Sequence, residues 1–170
     1  MLVGLPGAGK STVGALVAAR LGWPCIDLDQ AIVAAAGRTI SELFASEGEA
    51  GFRSWEARLT RELAPVDGPP VVLVPGGGWI EDRDHRARFG VSLEAVYLAV
   101  SPEVAVHRMG ASVADRPLLQ GDNRTESVRN LLRRRESLYL QSNHVVSTDL
   151  MTADAVAALI VALALGQRPD

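Results

Sequence analysis

The chain has 170 residues, 48% of them hydrophobic, and a formal net charge of −3. That length suits one domain over 1–170 with a core of useful size, and the acidic balance excludes a nucleic-acid surface, which needs a basic patch. No apolar run reaches the ~20 residues of a membrane span, the glycine-rich start argues against a signal peptide, and Cys25 is the only cysteine; a cytoplasmic monomer with no nucleic-acid or membrane partner is expected.

Apolar runs alternate with helical patterns along the chain. Met1–Gly4 reads as a short strand, and the helical stretch Lys10–Leu21 stops at Gly22. A second strand, Pro24–Leu28, leads into a helix from Asp29 to Ala36. Ser41 is placed to cap a short helix over Thr39–Phe44, and a longer helix follows from Glu49 to Leu63. Pro65–Pro70 breaks that pattern before a third strand, Val71–Val74. Ala95–Val100 is a fully apolar strand, followed by a helix over Pro102–Met109, a polar loop over Ala111–Asn123 and a charged helix over Arg124–Gln141. His144–Ser147 is the last strand, and Ala153–Leu165 the closing helix. Five buried strands joined by helical crossovers predict an α/β fold with one five-stranded parallel sheet covered on both faces. Ligands in such sheets sit beyond the carboxyl ends of the strands.

Residues Gly4–Thr12 read GLPGAGKST and fit Gly-x-x-x-x-Gly-Lys-Ser/Thr between a strand and a helix. Glycines allow the turn, and the N–H groups of the loop and helix start face a polyphosphate. Gly7, Ala8, Gly9, Lys10, Ser11 and Thr12 are therefore expected to bind a nucleoside triphosphate. Lys10 reaches the β- and γ-phosphates as a point charge, and Ser11 ligates Mg²⁺. At the end of the second strand, alternation is expected to put Asp27 and Asp29 on one side. One would hold a Mg²⁺-bound water and the other take a proton or hydrogen bond from a substrate hydroxyl. The plain alternative is that Asp29 only caps the next helix. Gly76, Gly77 and Gly78 in succession point to close backbone approach to a ligand. Arg53, taken by itself, reads as an ordinary exposed arginine.

These segments, with Gly37–Phe44, Gly48-Glu49, Arg116–Leu119 and Arg135–Tyr139, resemble shikimate kinase over nearly the whole chain and in the right order. The resemblance implies a P-loop fold of the nucleoside-monophosphate-kinase type, a three-layer sandwich with a mobile lid over about 111–123. It implies transfer of the ATP γ-phosphate to the 3-hydroxyl of shikimate, a step of aromatic amino acid biosynthesis. By position, Asp29 would be the base, and Asp27 would serve the Mg²⁺ shell through water beside Ser11. Arg53 and Arg135 would clamp the substrate carboxylate, Glu56 would hold Arg53, and Gly76–Gly78 would give backbone contacts. Arg116 in the lid would stabilise transferring charge beside Lys10, and Arg108 would lie on the adenine face. A small anionic polyol needs such a clamp, and planar arginine suits a carboxylate better than lysine. Arg133 and Arg134 are expected to be solvated.

Departures from the family pattern are Val74-Pro75 before the glycines, bulky Trp79 after them, and no arginine in Ser147–Thr152. Trp79 either reshapes the acceptor pocket or packs beneath it. Three other readings compete: a sister kinase acting on a shikimate-like cyclitol or on gluconate, a nucleotide-dependent switch with no acceptor, and a structural or interaction protein.

Overall fold

The computed structural model describes residues 1–110 and 123–166. Arg116 and the expected lid, apart from Asn123, lie outside the described residues. The elements are β1 (Leu2–Val3), α1 (Lys10–Leu21), β2 (Cys25–Asp27), α2 (Leu28–Ala36), α3 (Ile40–Leu63), β3 (Val72–Val74), α4 (Arg83–Arg86), β4 (Val96–Ala99), α5 (Pro102–Met109), α6 (Arg124–Tyr139), β5 (His144–Ser147) and α7 (Ala153–Ala164). A 3₁₀ turn, Trp79–Glu81, precedes α4.

All the strand pairs are parallel, as helical crossovers require. They form two ladders, β1-β4-β5 and β2-β3, where one continuous five-stranded sheet was expected. β3 adjoins β1, but β1 has only two residues and its ladder runs to β4. The central strands are apolar because both faces are covered: Leu2, Val3, Leu73, Val96 and Leu98 are all buried. The expectation of five buried strands fails at the margins. β2 is partly exposed, and Val145 in β5 is half exposed, because each ends a ladder with a neighbour on one side only.

α1 packs along α7 and across β3. Gly14 makes that second contact possible, since a Cβ there would lie 2.5 Å from Val74 Cγ2. α2 packs on α3, and α5 on α6.

Among the boundaries that differ from the sequence reading, three have a clear local reason. α2 begins at Leu28, because Asp27 is its cap: Asp27 Oδ1 accepts from Gln30 N at 3.2 Å. Thr39, rather than Ser41, caps α3 through a reciprocal pair with Glu42. α3 then carries a break at Gly48 (φ 68°, ψ −174°), so the two expected helices are present and abut at this residue. The Trp79–Glu81 turn and α4 were not foreseen, being too short to show a helical period. Asp82 caps α4, accepting from Asp84 N at 2.8 Å and His85 N at 3.2 Å.

Candidate active site

A cavity of about 460 Å³ opens beyond the ends of β1 and β5, within the range usual for small-molecule sites. Gly7 through Thr12 and Arg108 all line it, as does Thr148 from the segment after β5. Gly7 (φ 81°) and Gly9 (φ 87°) sit in left-handed conformations that side chains disfavour, and a Cβ on Gly7 would run into the Ala105 carbonyl. Gly9 is also the N-cap of α1, so the first turn of that helix presents N–H groups without helical acceptors to the cavity. Lys10 Nζ donates to the carbonyls of Gly4 and Leu5, both at 3.0 Å, which folds the ammonium back over its own loop. Arg108 is fixed at the cavity wall by two bonds, Nη1 to Thr148 Oγ1 at 2.9 Å and Nη2 to Thr148 O at 2.5 Å. Sequence reading missed Thr148; a threonine after the last strand carries no signal until the fold brings Arg108 beside it.

Ser11 donates its hydroxyl proton to Asp27 Oδ2 at 2.8 Å. Asp27 thus uses one oxygen to cap α2 and turns the other to the phosphate loop. Hydroxyl and carboxylate oxygens side by side are the hard donors that suit Mg²⁺, which binds through one or two protein groups and completes its shell with phosphates and water. Among the described residues no group of three or more His, Cys, Asp or Glu could hold a metal ion. The expected alternation of Asp27 and Asp29 along a strand is corrected. Asp27 ends β2 and Asp29 lies in the first turn of α2, so helix geometry, not pleating, sets their relation.

The three glycines after β3 organise the second half of the site. None has a positive φ, so conformational freedom is not their reason. Space is. A Cβ on Gly76 would lie 2.9 Å from Asp29 Oδ1, and one on Gly78 would lie 2.8 Å from Arg53 Nη1. A Cβ on Gly77 would lie 3.5 Å from Arg135 Nη1 and 3.3 Å from the Gly4 carbonyl. Asp29, Arg53 and Arg135 therefore converge on one backbone segment. That segment also abuts the loop carbonyl that Lys10 holds. The close approach expected of these glycines is made by the protein's own side chains.

Arg53 Nη1 donates to Glu56 Oε2 at 2.5 Å, one helical turn along α3, and Nη2 to Glu49 Oε1 at 3.0 Å. Glu56 is fully buried. Burial lifts its carboxyl to about 7, against the pull of the Arg53 guanidinium. For Arg53 the balance reverses: burial opposes its charge, yet Glu56 and Glu49 outweigh it and hold the guanidinium above its usual range. Arg53 therefore stays charged, while the Glu56 carboxyl takes up a proton near neutral pH.

Arg135 is 3% exposed, whereas Arg134 is 71% and Arg133 62%, so only the first of the three points inward. Its Nε donates to Glu81 Oε1 at 3.0 Å. One turn further along α6, Tyr139 donates its hydroxyl to the Gly77 carbonyl at 2.7 Å and stacks on Tyr97 with centroids 4.9 Å apart. Burial drives the Tyr139 phenol well above its ordinary range, so it is a donor throughout the working pH range. Glu81 and the donor role of Tyr139 were both missed. A lone glutamate past a glycine run gave no signal, and the i, i+4 spacing of Arg135 and Tyr139 was the one clue available.

Trp79 packs beneath the site. It is fully buried, donates Nε1–H to Thr60 Oγ1 at 2.9 Å and stacks on His85 with centroids 4.3 Å apart. Its bulk anchors the turn after the glycines.

Residues 6–164 match a family model described as shikimate kinase. The shikimate kinase of Streptomyces avermitilis is 45% identical over 163 residues, covering 95% of this chain and 92% of that one. The shikimate kinase of Bradyrhizobium diazoefficiens is 41% identical over 148 residues, covering 87% of this chain and 70% of its own. Among solved structures, the shikimate kinase of Acinetobacter baumannii in complex with shikimate superposes with a TM-score of 0.89 at 36% identity, covering 97% of this chain and 91% of that one.

Proposed function

Because the chain belongs to the shikimate kinase family, we propose that it transfers the γ-phosphate of ATP to the 3-hydroxyl of shikimate. One observation carries the reading: Gly76–Gly78 is a common wall between the phosphate loop and a triad of Asp29, Arg53 and Arg135. A carboxylic acid held by the two arginines lies where Asp29 can accept the proton of a ring hydroxyl, beside the phosphate end of the nucleotide site. The arginines orient, Asp29 takes the proton, and Lys10 with the N–H groups of α1 meets the phosphate charge. Ser11 and Asp27 would hold Mg²⁺, which when bound neutralises charge on the phosphates. Arg108 would flank the adenine. Cys25, exposed and unable to form an internal disulfide, fits a reducing, cytoplasmic setting.

A coupled ADP-release assay tests this with shikimate, gluconate and carbocycles related to shikimate. Turnover is expected with shikimate; its absence, with turnover of another acceptor, overturns the assignment. Arg135→Ala adds a second check. Losing one side of a buried, hydrogen-bonded charge contact costs about 2–5 kcal/mol, and the loss should fall on acceptor binding and spare ATP. Equal losses for both ligands would contradict the clamp.

A further inference from the structure

The Glu81 carboxylate lies across both arginines that the proposed reaction assigns to the acceptor. Its Oε1 accepts from Arg135 Nε at 3.0 Å and stands 3.6 Å from Arg134 Nη2. Its Oε2 faces Arg53 Nη2 at 3.8 Å. One oxygen serves each clamp arginine, which is the arrangement an incoming carboxylate would also need. The anchorage is uneven. Trp79 and Ile80 are buried and Glu81 N donates to the Gly78 carbonyl at 3.0 Å, so the backbone is held. The Glu81 side chain is 28% exposed and rotates about three bonds, so it can turn to water without moving the turn. The clamp is also rich in negative charge, since Arg53 already faces Glu49 at 3.0 Å and Glu56 at 2.5 Å.

We infer that Glu81 is an internal competitor for the two-arginine clamp, which the acceptor's carboxylate must displace, and that it sets the affinity for acidic acceptors. This rests on Arg53 and Arg135 being the acceptor clamp in the proposed function. Three features favour competition over mere support of Arg135. Glu81 reaches both arginines, the Arg53 approach is longer than a hydrogen bond, and its charge opposes a second carboxylate at the same place.

The test uses Glu81→Gln and Glu81→Ala, with shikimate binding measured by calorimetry and turnover measured separately. Both variants should bind shikimate more tightly, roughly fivefold, the size of a partly exposed ion pair. The KM for shikimate should fall while the KM for ATP does not. Shikimate methyl ester, which lacks the competing charge, should gain nothing. If Glu81 merely supports Arg135, the alanine variant binds shikimate more weakly and the glutamine variant restores binding. That result, an unchanged affinity, or an equal gain for the ester would overturn the inference. Tighter shikimate binding in the variants without phosphorylation by any of the proteins would keep this inference and remove the proposed function. Phosphorylation with unaltered affinity would do the reverse, and no shikimate binding by any of them would remove both.

Discussion

Arg53 and Glu56 meet at 2.5 Å on one face of α3, the carboxylate fully buried and the guanidinium reaching out toward Gly78. Burial raises the Glu56 carboxyl from 4.5 to about 7. A folded value above the unfolded one means that folding favours the protonated form. That contribution is fully present below pH 4.5 and is lost as pH rises through about 7. Glu56→Gln is neutral throughout and removes the titration. The melting temperature of wild type minus that of the variant should therefore decline between pH 4.5 and 8. A difference that grows across this window would refute the assignment.

His85 gives the opposite slope. Its ring is buried against Trp79, and among the described residues its Nε2 has no hydrogen-bond partner. Burial lowers its pKa from 6.5, so folding favours the neutral ring, and stability is lost as pH falls below 6.5. His85→Phe keeps an aromatic face on Trp79 and should flatten the acid limb of the melting profile. An acid limb as steep as that of wild type would place the titration elsewhere.

Gly78→Ala addresses the clamp without touching a charge. The new Cβ would sit 2.8 Å from Arg53 Nη1 and 2.9 Å from its Cζ, so the guanidinium must move. Small misplacements of orienting groups are expensive in rate. The kcat/KM for shikimate should fall roughly tenfold to a hundredfold, with ATP affinity and melting temperature close to wild type. A normal kcat/KM would mean that Arg53 does not orient the acceptor.

Lys10→Ala and Asp29→Asn should separate the two halves of the reaction. The first removes a fixed cation from the phosphate site and should cut nucleotide affinity by roughly thirtyfold or more. The second leaves both ligands bound but takes away the proton acceptor, at a cost in kcat of roughly 10²–10⁴-fold. Calorimetry with ATP and single-turnover assays read these directly. Full turnover in Asp29→Asn would end its role as base.

The chain by itself determined the glycine-rich turn and the helix that follows it. Gly4 through Thr12 are contiguous, and the turn, the helix start and the charge are local properties of these nine neighbouring residues. It also determined the alternation of strands and helices, because apolar runs and helical periods are written within short windows. Resemblance implied that Asp29, Arg53 and Arg135 share one acceptor site, but nothing in their spacing said that they meet. Only the tertiary structure decided that, by running Gly76–Gly78 past all three, so that Gly76 makes room for Asp29, Gly78 for Arg53, and Gly77 touches Arg135. It corrected Asp27, whose two oxygens cap a helix and meet Ser11, where strand alternation had been expected. It also exposed Glu81, whose effect comes from two arginines 28 positions before and 54 positions after it in the chain. Charges act through space over a few ångströms, and separation along a sequence holds no record of that distance until the backbone has folded.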